Sequence, residues 1–154
     1  MKLTQPERQW LTAIMEGFAP PGSGDAEHLA PERGEVDYAG TFEELNGAGG
    51  PKVRYGIRAA ALLIASSPVW MRARPTFIDG LNTAERIALL EDLLQHPLQI
   101  VRELTLLMKV QTSMALLREP TVRARSNYDT ARSEGTPVRL RLSKAAKKTM
   151  QEVA

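Results

Sequence analysis

A chain of 154 residues with 43% hydrophobic content is long enough to bury a core and too apolar to be disordered throughout. It contains no cysteine, which excludes disulfides, thiolate zinc sites, iron–sulfur ligation and covalent haem attachment. The net charge of +2 conceals a division: residues 1–117 carry 11 Lys and Arg against 14 Asp and Glu, whereas residues 118–154 carry 9 against 4. A mildly acidic body thus precedes a basic tail of the kind that meets nucleic acid, anionic membrane or an acidic protein surface.

Ala, Leu, Arg and Glu dominate and β-branched runs are few, which favours an all-α fold. The first predicted helix runs from about Gln5 to Phe18. Pro6 stands near its start, and Trp10, Ile14 and Phe18 recur at the spacing of one buried face. Pro20-Pro21-Gly22-Ser23-Gly24 ends it, and a polar loop continues to Gly40. Thr41-Phe42-Glu43-Glu44 has the form of a capping box for a short helix reaching Asn46. Gly47-Ala48-Gly49-Gly50 is read as a joint. It has no preceding strand, and Pro51-Lys52 does not supply the Lys-Ser/Thr ending of a phosphate-binding loop.

Pro51 opens a helix reaching Ser66, alanine-rich and apolar towards its end, with Arg54 and Arg58 one turn apart. Ser66-Ser67-Pro68 breaks it, and Trp70 is expected as a core plug. Pro75 to Leu81 is a helical turn closed by Gly80. Asn82 and Glu85 form a second capping box, for a helix carrying Ile87, Leu89, Leu90, Leu93 and Leu94. His96 stands at that helix's C-terminus, where the dipole favours its protonated form; a structural role is expected of it. His28 and His96 lie in unlike contexts, so no metal site is expected.

The longest predicted helix lies between Pro97 and Pro120, with Pro97 at its first position and Pro120 stopping it. A helix of that span is roughly 30 Å long. Val101, Leu104, Met108 and Ala115 share one stripe, and Ile100, Leu107 and Met114 the next, so the helix is expected to be covered on more than one side. Arg102, Glu103 and Lys109 sit in mid-segment and argue against a membrane span. Asn127-Tyr128-Asp129 is turn chemistry. Val138-Arg139-Leu140-Arg141-Leu142 alternates as a half-buried strand does, and Ser143 can cap a final short basic helix. The expected architecture is an irregular helical bundle around one long central helix, residues 1–130, followed by a basic tail, residues 131–154, with an extended segment at 138–142.

Several pieces fall in a familiar order: Phe18-Ala19-Pro20, the helix from Arg54 to Ile64, Phe77 to Arg86, Leu107-Met108-Lys109, and Glu119-Pro120-Thr121-Val122-Arg123 leading to Tyr128-Asp129. This order resembles the small-subunit family typified by the third subunit of membrane-bound gluconate dehydrogenase. It is also similar to the helical region that precedes the flavin domain of long-chain alcohol oxidases. The resemblance implies a non-catalytic accessory subunit. Such subunits bind and stabilise a large flavoprotein of the glucose–methanol–choline oxidoreductase type, which holds the FAD. It implies no catalytic, cofactor-binding or metal-binding residue in this chain. Many members carry a twin-arginine leader; the N-terminus here shows neither that motif nor the pattern of a secretory signal, so a cytoplasmic location is expected.

The residues assigned to partner binding are Arg102, Glu103 and Lys109, read as a solvated helix face, an internal ion pair or a docking patch, and Val138, Arg139, Leu140, Arg141 and Leu142, read as a strand added to a partner's sheet edge or as a disordered tail. The alternative is a helical protein–protein or nucleic-acid interaction module using the basic tail. The tail offers only Tyr128 as a stacking aromatic, and no helix-turn-helix spacing is present, so nucleic acid is not the expected partner.

Overall fold

The computed structural model describes residues 2–22, 30–47 and 49–125. Among them the fold is all-helical: α1 Gln5–Phe18, α2 Tyr38–Leu45, α3 Pro51–Ala65, α4 Ser67–Arg72, a single 3-10 turn Ile78–Gly80, α5 Thr83–Leu94, α6 Gln99–Arg118 and α7 Pro120–Arg125. The extended segment at 138–142 and the final basic helix expected from the sequence lie outside the described residues.

Local chemistry accounts for the helix ends. Thr4 precedes α1, and the Glu7 carboxylate accepts from its backbone N–H at 2.7 Å and from its hydroxyl at 2.9 Å. At α5 the capping box expected from the sequence forms: Asn82 Oδ1 accepts from the Glu85 N–H at 2.9 Å, and Glu85 accepts from the Asn82 N–H at 3.1 Å. The expected box at Thr41 does not form. α2 begins four residues earlier, with Asp37 as its N-cap accepting from the Gly40 N–H at 2.9 Å, and Thr41 lies inside the helix. The earlier start places Tyr38, Ala39 and Phe42 together on the buried side. Pro97 is not the first residue of the long helix either: α6 starts at Gln99 after Leu98. Pro120 ends α6 and then opens α7 at its first position, where the absent N–H costs nothing.

α1 packs against α2, α3, α5 and α6, and α6 packs against α1, α2, α3, α5 and α7, so these two helices together hold the bundle. The core joins Leu11, Ile14 and Met15 of α1 to Phe42, Ile57, Ile64, Ile78, Leu89, Leu93 and Met108. Gly17 lies buried where α1 meets α5, and a Cβ there would come within 2.6 Å of Leu90 Cδ1. Arg86 fastens the same corner: its guanidinium donates to the carbonyls of Ile78 at 3.1 Å and Asp79 at 2.9 Å, and to Glu16 at 3.3 Å.

α6 buries Val101, Thr105, Met108, Thr112, Ala115 and Leu116. The two threonines can stand in the core because their hydroxyls donate to the carbonyls of Val101 and Met108, four residues back, at 2.8 and 2.9 Å. Leu104 and Leu107 lie half-buried at the edge, while Ile100 and Met114 are exposed. The expectation that the helix is covered on more than one side holds only in part: in its second apolar stripe Leu107 packs at the edge of the core, whereas Ile100 and Met114 face outward. Trp70 is a further correction. It lies on the short rim helix α4, 46% exposed, edge-on to His96 at 5.7 Å between ring centroids, while Ser67 and Pro68 fill the interior there.

Candidate interaction surface

On a helix, positions 106, 110, 114 and 117 fall within about 80° of one another. In α6 they are Leu106, Val110, Met114 and Leu117, and they are 53, 48, 46 and 37% exposed. They form an apolar ridge roughly 16 Å long, at 1.5 Å rise per residue. Scattered apolar side chains are ordinary on a surface; these four stand in line on one helix and make a continuous apolar strip.

The residues assigned to docking divide around this ridge. Glu103 prolongs it by one turn towards the N-terminus; it is exposed, and its carboxylate accepts from Gln99 Nε2 at 2.6 Å. Lys109 is exposed on the flank of the ridge. Arg102 turns to the corner between α5 and α6, where its guanidinium donates to the carbonyls of His96 at 2.6 Å and Pro97 at 3.0 Å. No ion pair joins Arg102, Glu103 and Lys109 among the described residues. His96 Nδ1 accepts from the Leu98 N–H at 3.2 Å, in the turn that leads into α6. Val138, Arg139, Leu140, Arg141 and Leu142 lie outside the described residues.

The ridge is not among the sites expected above, although the i, i+4, i+8, i+11 spacing of Leu106, Val110, Met114 and Leu117 is its signal in the sequence. Arg54 and Arg58, one turn apart, have no role expected from the sequence. Arg58 pairs with Glu7 at 2.8 Å, and Arg54 Nε donates to the Gly49 carbonyl at 2.7 Å.

Among the described residues no cluster of three His, Asp or Glu side chains is arranged to hold a metal ion. Among them, too, no helix is long and apolar enough to cross a membrane. No family model, curated protein or solved structure matches the chain.

Proposed function

We propose that this chain is a non-catalytic accessory subunit that docks on a large FAD-dependent oxidoreductase of the glucose–methanol–choline type and stabilises it. The observation that carries the docking part is the ridge of Leu106, Val110, Met114 and Leu117 on α6. Covering apolar surface of this kind returns about 25 cal/mol per Å² removed from water. Glu103 at its end and Lys109 on its flank give a partner charges to match, and such rim charges govern orientation and encounter more than affinity. The flavoprotein is chosen as the partner from the order of segments that resembles the gluconate dehydrogenase small subunit.

The test is affinity purification of the full chain from its native cells, beside a Leu106→Glu, Val110→Glu variant. The expected result is a large partner carrying flavin absorbance with the unaltered chain, and none with the variant, which keeps its helical circular dichroism. A partner without flavin overturns the assignment to an oxidoreductase. Equal capture by the variant removes α6 from the interface.

A further inference from the structure

Away from the α6 ridge, two cavities adjoin between the N-terminal half of α1 and α3. The first, of about 210 Å³, is walled by Leu3, Trp10, Leu11, Phe42 and Leu62, with Glu7 and Arg58 at one side. An apolar cavity of roughly 150 Å³ stays dry and takes in benzene, so this one has room for a larger apolar body. The second, of about 320 Å³, is lined by Lys2, Arg54, Tyr55 and Arg58. Arg58 belongs to both linings, so an apolar chamber opens beside a cationic one.

The charges there do not cancel. Glu7 is the one carboxylate in either lining, and it already accepts from Arg58 Nη2 at 2.8 Å and from Thr4. Lys2 and Arg54 have no carboxylate partner among the described residues; Arg54 is held only by the Gly49 carbonyl. Arg58 Nη2 donates also to the Lys2 carbonyl at 3.0 Å, yet its Nε is buried with no hydrogen-bond partner among the described residues. A buried donor without a partner is costly, and a cationic lining with one carboxylate among three cations attracts an anion.

We propose that this site binds a small amphipathic carboxylate, a fatty acid of roughly six to ten carbons, with its chain in the Trp10–Phe42 chamber and its carboxylate among Lys2, Arg54 and Arg58. Each half of the site selects against a simpler ligand. Inorganic phosphate satisfies the cations and leaves the apolar chamber empty. A neutral alcohol fills the chamber and leaves the cations bare, and an amine brings a like charge to them. The inference stands apart from docking at α6, since the two sites share no residue.

The probe is sodium octanoate, titrated into the full-length protein beside octanol and octylamine. The signals are fluorescence of a Trp70→Phe background, which leaves Trp10 as the reporter, and the shift in Tm. Octanoate is expected to saturate one site per chain and raise the Tm. Octanol should bind about tenfold more weakly, the loss of one charge-assisted contact, and octylamine should not bind. Ala59 is exposed and lines the apolar chamber, so Ala59→Phe should fill its mouth and abolish uptake. Arg54→Gln should weaken octanoate by about tenfold and leave octanol unchanged. Circular dichroism checks that both surface variants keep the fold. Octanol binding as tightly as octanoate, or octanoate binding indifferent to both variants, overturns the proposal. So does uptake of an acidic, aromatic-bearing peptide in place of octanoate, which would assign the cleft to a protein partner.

Discussion

Tyr38 is the residue whose chemistry fits its place least. Its ring is buried against the core, and its hydroxyl is buried with no hydrogen-bond partner among the described residues. Burial, then the nearby charges of Glu16 and Glu35, push its ionisation up to about 12. Removing an unpaired buried hydroxyl while keeping the ring is neutral or favourable. Tyr38→Phe is therefore expected to raise stability, by up to about 1 kcal/mol, in urea denaturation. A loss of that size would mean that the hydroxyl has a partner after all. Glu35, near it in sequence, is the opposite case. The Thr121 hydroxyl at 2.5 Å, the Glu32 N–H at 2.7 Å and Arg125 at 2.6 Å hold its carboxyl down to about 2, against an ordinary 4.5. The unfolded chain then binds the proton first, so this contribution is present above pH 4.5 and is lost as the pH falls from there to about 2. Acid unfolding followed by circular dichroism should show that loss, and Glu35→Gln should reduce its steepness. An identical acid profile for the variant would show that Glu35 contributes nothing to it.

Elements differ in how far their residues announce them. α1, α3 and α5 follow from capping residues, prolines at the first turn and one clear apolar face. α2 starts away from its expected place because two N-cap patterns compete there. Thr41 and Glu44 match the capping-box formula, but burying Tyr38, Ala39 and Phe42 together needs the helix to begin at Asp37. Trp70 departs from expectation because a large aromatic argues for the core by its area alone, whereas a two-turn rim helix such as α4 has little interior to offer. α6 is the instructive case. Apolar residues on two stripes are consistent with cover on both sides or with one side left open, and periodicity does not count neighbours. The two faces should respond differently to mutation. Met108→Ala, in the closed face, is expected to cost about 2–5 kcal/mol. Val110→Glu, on the open ridge, should change stability by less than about 1 kcal/mol. Equal losses in chemical denaturation would show that the ridge is covered within the folded chain.

At the scale of the whole molecule, an apolar ridge left open predicts that the chain behaves differently alone and in company. If the flavoprotein is the occupant, the isolated chain should sediment as a single copy and show no flavin absorbance. A stoichiometric flavin spectrum without a partner would contradict the accessory role, and a stable dimer dispersed by Val110→Glu would give the ridge to a second copy instead. The candidate site was legible only in part: Glu103 and Lys109 border the ridge, but Arg102 is spent on the corner before α6. Charged residues show themselves in a sequence, whereas the side on which a helix lacks a neighbour is a property of the assembled bundle. The contact at Gly17 has a mechanical consequence. With no side chain at that point, α1 rests on Leu90 of α5 as a key rests in a lock, and Arg86 bolts the pair to the Ile78–Gly80 turn. Sliding one helix along the other would bring larger side chains into that gap, so α1, the turn and α5 move as one stiff block. Any yielding of the bundle must then come from the other members, with this block as the anvil against which they are pressed.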